Sequence, residues 1–357
     1  MLNNLFKYID FFKCKNSKKY YFNILIVKHN TFKCIGEGTK EKYYLCPVKG
    51  KVIKSTGSWY IVLDETGRQW ECRLRGKIRL DGLRSTNPVA VGDNVLFEQE
   101  PGKDTGVIKQ IETRNNVIVR KSVNLSKASH IIAANVDLAI IVASVTQPRT
   151  STGFIDRFMV TAEAYHIPTA LIFNKCDLYT DDQIGEMAEL IEYYQSIGYT
   201  SFGVSAKTGF QLDELKELMQ GKICLFSGHS GVGKSALVNA MDPSQHLKIG
   251  AISDVHNKGK HTTTFAEMHH LDFGCWIVDT PGIKEFALYD METETLAQRF
   301  PEMRDLMSQC RFANCTHTHE PGCAVKEAVE NGDIADWRYN NYLRMYNNED
   351  WSYGTDD

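Results

Sequence analysis

The stretch Gly228-His229-Ser230-Gly231-Val232-Gly233-Lys234-Ser235 constrains this chain more than any other. It fits the phosphate-binding pattern G-x-x-x-x-G-K-[ST]. It also lies between the apolar run Ile223-Cys224-Leu225-Phe226 and the helix-like Ala236-Leu237-Val238-Asn239-Ala240, which is the strand, loop and helix context that the pattern requires. The glycines let successive backbone N–H groups close around a β-phosphate at a positive helix N-terminus. Lys234 is placed to neutralise β/γ oxygens and the Ser235 hydroxyl to ligate Mg²⁺. An ordinary Gly/Ser turn has no reason to open a helix with Lys-Ser, yet this loop alone does not separate ATP from GTP.

Length and composition set the outer limits. The 357 residues exceed one typical domain, so two or three are expected, and 43% apolar residues suffice for a sizeable core. A net charge of −3 confines any nucleic-acid contact to local patches. No apolar run approaches the ~20 residues of a membrane span. Phe22-Asn23-Ile24-Leu25-Ile26-Val27 is short and lacks a following cleavage site, so neither a membrane nor a secretory route is expected. Ten cysteines, clustered toward the C-terminus, point to metal binding in a reducing cytoplasm.

Residues 1–48 are rich in Lys, Asn, Phe, Tyr and Ile without a sustained helical or strand period. They are expected to be a poorly ordered extension, such as initiation upstream of a natural start would produce. From Lys49 short β-type runs follow one another: Lys51-Val52-Ile53-Lys54, Trp59-Tyr60-Ile61-Val62-Leu63, Trp70-Glu71-Cys72-Arg73-Leu74, Asn94-Val95-Leu96-Phe97 and Thr105-Gly106-Val107-Ile108. Turn signals separate them, and the spacing predicts a small OB-type barrel over 49–118. Arg68, Arg73, Arg75, Lys77, Arg79 and Arg84 lie near Trp59, Tyr60 and Trp70. These suit an RNA backbone and its stacked bases; a solvated strand face over core aromatics accounts for them equally well.

Over 119–290 buried-strand runs alternate with helical spacing, which predicts an α/β sheet with ligands at the carboxyl ends of its strands. Val136–Ala143 is one such run, Phe154, Phe158, Ala162 and Tyr165 recur at helical spacing, and Ala170-Leu171-Ile172-Phe173 is the next strand. Asn174-Lys175-Cys176-Asp177 then stands at a strand end. A carboxylate there can accept from guanine N1–H and the exocyclic amine together, a donor pair that adenine lacks. Asn174 would hold the loop and the stem of Lys175 would lie over the base. Ser205-Ala206-Lys207 supplies a matching contact, the Ala206 N–H to guanine O6. Asp279-Thr280-Pro281-Gly282 follows the strand run Cys275-Trp276-Ile277-Val278, where Asp279 can hold Mg²⁺ through water and the Gly282 N–H can sense a γ-phosphate. Between that stretch and the phosphate loop lies Lys258-Gly259-Lys260-His261-Thr262-Thr263-Thr264. Thr263, or failing it Thr262, is the candidate to close the Mg²⁺ shell.

Ordinary GTPases begin with the phosphate loop, whereas here N-K-C-D and S-A-K come first. The sequence therefore resembles a circularly permuted GTPase. With the barrel before it, a Cys/His cluster after it, and G-H-S-G-V-G-K-S, G-K-H-T-T-T and D-T-P-G-I-K-E in between, it is similar to the ribosome small-subunit-dependent GTPase family (RsgA, YjeQ or EngC type) over about Lys49 to Arg344. The resemblance implies a Mg²⁺-dependent GTPase stimulated by the small ribosomal subunit. It also implies rRNA contacts through the flanking modules, late-stage subunit maturation and release on hydrolysis; nothing in the sequence demands a partner chain, so a monomer is expected. Ile283 follows Gly282 where Ras-like proteins carry a water-orienting Gln. Free enzyme is thus expected to be slow, with His261 a candidate to position water; a His there can equally well pack or touch RNA.

In the final module, 291–357, Cys310, Cys315 and Cys323 with one imidazole make a closed tetrahedral Zn²⁺ set. The family pattern selects His317, two residues after the second cysteine, over His319. Trp337, Arg338, Tyr339, Tyr342, Arg344 and Tyr346 fit a last helix that either packs on the zinc module or meets RNA. A nucleotide-gated RNA-binding module acting away from ribosomes is the alternative of a different class, and an ATP-driven enzyme is disfavoured by the two guanine-reading loops.

Overall fold

The computed structural model describes residues 25–27, 31–34, 42–45, 47–74, 88–121, 129–245, 266–279 and 293–349. Within the stretch read as an unordered extension, β1 (Leu25–Val27), β2 (Thr31–Cys34) and β3 (Lys42–Leu45) pair into a small antiparallel sheet.

The next five strands are β4 (Val48–Ser55), β5 (Tyr60–Asp64), β6 (Gln69–Leu74), β7 (Asn94–Gln99) and β8 (Thr105–Ile111). They run in the order β4-β5-β6-β8-β7, and β7 returns to pair with β4. Closure removes both edges. The pair β6/β8 is parallel and the others are antiparallel. Alternate residues point inward, so Val52, Tyr60, Val62, Trp70, Cys72, Val95, Phe97 and Ile108 fill the barrel. Tyr60 and Trp70 are therefore core residues, which leaves Trp59, 40% exposed, as the aromatic on the barrel surface. Arg75, Lys77, Arg79 and Arg84 lie outside the described residues.

A hairpin of β9 (Val117–Lys121) and β10 (Ser129–Ala134) leads to the central sheet. Its elements are β11 (Leu138–Ala143), α1 (Thr152–Ala164), β12 (Thr169–Phe173), α2 (Asp181–Ser196), β13 (Thr200–Gly203), α3 (Leu212–Met219), β14 (Ile223–Ser227), α4 (Lys234–Met241), β15 (Glu267–Leu271) and β16 (Cys275–Asp279). The strand order is β13-β12-β11-β14-β16-β15, parallel except for β15. Every residue of β11, β12 and β14 is buried, as both-face burial by crossover helices demands. Ile141, Leu171 and Leu225 pack with Phe158 and Met159 of α1. Ile140, Ile172 and Phe226 pack on the other face with Leu215 of α3 and Leu237 of α4.

The barrel is joined to this sheet by a single β15/β4 pair, Glu267 with Lys54, reinforced by their 2.7 Å ion pair. A turn at Gly92 makes a second junction. Arg114 donates to both carboxylate oxygens of fully buried Asp93 at 2.7 Å, and Asn135 Nδ2 donates to Gly92 O. Gly92 has φ +87°, and a Cβ there would lie 2.0 Å from Ala134 O. Gly92→Ala is accordingly expected to cost at least about 2 kcal/mol in strain and displaced backbone. Denaturant unfolding checks this, and a wild-type midpoint would contradict the junction as described.

The last module consists of a 3-10 turn, Thr293–Arg299, followed by α5 (Pro301–Leu306), α6 (Ala324–Glu330) and α7 (Asp336–Tyr346). Its core of Leu296, Phe300, Met303, Val325, Ile334 and Tyr342 closes on Val160 of α1. Arg338 and Tyr342 of α7 are buried, and Trp337 lies edge-on to Tyr193 of α2 at 4.9 Å. No helix among the described residues is long and apolar enough to cross a membrane.

Candidate nucleotide and metal sites

Parallel register sends the loops after β11, β12, β13 and β14, and the end of β16, to one edge of the sheet. On that edge the phosphate-binding motif leaves β14 and opens α4 at Lys234. Its glycines are sterically required. Gly228 has φ +141° and would place a Cβ 2.2 Å from Val142 O, and Gly233 has φ +99° and would place one 2.3 Å from Asn174 Nδ2. Buried Lys234 donates from Nζ to Gly228 O at 2.8 Å and His229 O at 2.9 Å, which folds its charge across the mouth of the loop. Ser235 is buried in the first turn of α4, Val232 packs inward, and Ser230 and Gly231 are exposed. An anion that accepts the loop N–H groups and the ammonium fits this cradle.

Asn174 joins this loop to the Ser205-Ala206-Lys207 stretch and itself opens the Asn174–Asp177 stretch. Its Nδ2 donates to Val232 O at 2.9 Å and its Oδ1 accepts from Ala206 N at 3.2 Å. Asp177 sits in the turn that follows, where Ser205 Oγ donates to Oδ1 at 2.6 Å and Lys207 Nζ lies 3.6 Å from Oδ2. The Ser205 hydrogen bond, outweighing the cost of burial, holds the Asp177 carboxyl below the ordinary carboxylate range. It is an anion at neutral pH with acceptor capacity to spare. Lys175, at φ +71°, donates its ammonium to Gln147 O. Cys176 turns inward, its Sγ 3.6 Å from Met187 Sδ, and so packs the loop from beneath.

Some supporting residues carry no sequence motif. The Tyr179 hydroxyl donates to Asn174 O at 2.6 Å and accepts from Val145 N at 3.2 Å, pinning the loop after β12 to the loop after β11. Phe154, in the first turn of α1, lies 4.2 Å from the His229 ring, centroid to centroid. Val145 is 34 positions from Tyr179 and His229 is 75 from Phe154, so no local pattern announces these two contacts. Asp279 ends β16 beside β14, and its side chain lies outside the described residues, as do His261, Thr262, Thr263 and Gly282.

The structure gathers Cys310, Cys315, His317 and Cys323, with one ligand atom from each within 4.8 Å of the others. His317 Nδ1 stands 3.3 Å from Cys323 Sγ and 3.6 Å from Cys310 Sγ. Ligand atoms around a tetrahedral zinc ion are roughly 3.3–3.8 Å apart. Three thiols and an imidazole at that spacing fit zinc, and the four positions leave none for water. His317 O accepts from Tyr339 Oη and Thr316 O from Tyr342 Oη, both at 2.6 Å, so α7 fixes the chain at the ligand. His319 is exposed and bonded to Thr318 Oγ1, away from the set.

Comparison with known proteins agrees with this geometry. The RsgA GTPase family model matches residues 111–289, and the RsgA N-terminal domain model matches 49–108. Small ribosomal subunit biogenesis GTPase RsgA 2 of Bacteroides thetaiotaomicron is 53% identical over 300 residues, covering 84% of this chain and 96% of that protein. Small ribosomal subunit biogenesis GTPase RsgA of Christiangramia forsetii is 50% identical over 311 residues, covering 87% and 99%. Among solved structures, YjeQ from Thermotoga maritima superposes with a TM-score of 0.68 at 40% identity, over 85% of this chain and 98% of that one. YloQ, described as a circularly permuted GTPase, gives 0.67 at 33% identity, over 85% and 94%.

Proposed function

The chain belongs to the RsgA GTPase family, and from that premise we propose that it hydrolyses GTP on the maturing small ribosomal subunit, holds rRNA through its barrel and zinc modules, and leaves after hydrolysis. The observation that carries this reading is the convergence of the phosphate loop and both guanine-reading loops on Asn174. A nucleotide bound there would be tested for its base and its phosphates by one connected set of hydrogen bonds. The division into 49–118, 119–290 and 291–357 gives each task its own module, and the factor acts as a monomer in the cytoplasm.

In this account Asp177 accepts from guanine, the Ala206 N–H meets O6, and the stem of Lys175 covers the base. The 228–233 backbone and Lys234 hold the phosphates. Ser235 and Asp279 would hold Mg²⁺, which when bound offsets charge on the β/γ oxygens. Thr263 and the Gly282 N–H respond to the γ-phosphate, and His261 orients water. Ile283 offers no hydrogen bond at the position after Gly282, so hydrolysis by the free protein is slow and the subunit completes the site. The zinc set is structural. The stretch from Asp279 runs on toward the zinc module, so loss of the γ-phosphate can move that module relative to the barrel.

Sedimentation with isolated ribosomal subunits and a nonhydrolysable GTP analogue tests the reading. The protein is expected to travel with small subunits only, and more with the analogue than with GDP. Equal binding to unrelated structured RNA, with no preference for small subunits, would favour a nucleotide-gated RNA module instead.

A further inference from the structure

The first loop of the zinc module, from Cys310 to Cys315, presents Arg311, Phe312, Ala313 and Asn314 to solvent. Phe312 is 41% exposed and one of the few large apolar side chains at the described surface. The Arg311 guanidinium lies 5.5 Å from its ring centroid, and among the described residues no carboxylate pairs with it. Arg73, whose guanidinium lies 6.0 Å from the exposed ring of Trp59, differs in being tied to Glu100 at 2.6 Å.

The loop that carries this pair is held on both sides. Arg311 N donates to Gly322 O at 3.0 Å and Cys315 N to Phe312 O at 3.2 Å. Gly322, at φ +69°, lies close enough that a Cβ would be 3.2 Å from Arg311 Cβ. A ring on a backbone-held loop, beside a planar cation with no carboxylate partner among the described residues, offers a π-face for one base and a fork for the adjoining phosphate or base edge. A protein partner would call for a wider apolar centre, whereas the exposed residues that follow Phe312 in the loop, Ala313 and Asn314, add little apolar area.

We propose that Arg311 and Phe312 form a stacking clamp for one unpaired base of single-stranded RNA. The inference rests on the reading of the chain as an rRNA-contacting factor and assigns the zinc module its point of contact.

The test uses the full zinc-loaded chain and fluorescence anisotropy with a labelled RNA of about 12 nucleotides, single-stranded or as a duplex, a length in the range of known single-strand sites. Phe312→Ala is expected to weaken single-strand binding by about 5- to 100-fold, the usual range for one stacked base, with duplex binding unchanged. Phe312→Trp should retain affinity and Phe312→Leu should lose it, because only the first keeps a π-face. Arg311→Gln should weaken binding and lower the salt slope by about 1. Wild-type affinity in Phe312→Ala overturns the clamp. Full affinity in Phe312→Leu also overturns it, since that outcome marks an apolar contact of the protein type. Should Phe312→Ala lose zinc, the Leu and Trp variants decide, as both keep bulk in the loop. Wild-type co-sedimentation with small subunits separates the two claims. If it holds while Phe312 is dispensable, only the clamp fails; if it is absent, the ribosomal reading fails and the oligonucleotide data judge the clamp alone.

Discussion

Asp177→Asn is expected to lower affinity for GTP by about 10²- to 10⁴-fold, since two hydrogen bonds to a charged acceptor are each worth about 1.5–3 kcal/mol. In the proposed site the carboxylate would meet a donor pair on guanine, and an amide would replace one acceptor with a donor that faces guanine's own N–H. That new donor suits the 2-carbonyl of xanthine, so xanthosine triphosphate should gain where GTP loses. The variant should fold, because Ser205 Oγ can still donate to the amide oxygen where it now donates to Asp177 at 2.6 Å. Nucleotide titration by fluorescence reads the exchange. Unchanged GTP preference would remove Asp177 from base recognition and reopen the choice between ATP and GTP.

A second large effect is expected far from the nucleotide. Arg338 of α7 is completely buried and is bonded to Asp156 of α1, and its Nε donates to Glu302 Oε1 at 2.7 Å. Asp156, also fully buried, further accepts from Tyr194 Oη and Asn341 Nδ2, each at 2.6 Å. Burial alone pushes the Asp156 carboxyl up, and the guanidinium opposes that rise. Arg338→Met removes the only cation of the network among the described residues and strands two carboxylates, at a cost of about 3–5 kcal/mol. Adding Asp156→Asn should recover part of that loss, because the penalty belongs to the unpaired charge. Denaturant unfolding of both variants checks it. A wild-type midpoint for Arg338→Met, or no recovery in the double variant, would mean that the network does not hold the zinc module to α1.

How much of this was legible in the sequence differs from part to part. The phosphate loop, Asn174-Lys175-Cys176-Asp177 and Ser205-Ala206-Lys207 are local runs whose chemistry requires fixed spacing, so they stand out without a structure, and their inverted order disclosed the permutation. The barrel strands were readable from alternation between turn signals. The fates of Tyr60 and Trp70 were not, because both occupy inward positions of strands whose pairing decides which face is covered. The β9/β10 hairpin and β15 were missed as well. β15 reads Glu-Met-His-His-Leu and owes its strand state to its neighbours β16 and β4. Asp156 and Arg338 stand 182 positions apart, and pairing at that range leaves no mark on either segment.

The most direct test of the central claim is the rate of GTP hydrolysis by the purified protein, alone and with isolated small ribosomal subunits, with large subunits and ATP as controls. The account predicts slow turnover alone and strong stimulation by small subunits with GTP only. Equal rates with and without small subunits, or stimulation by large subunits, would contradict it.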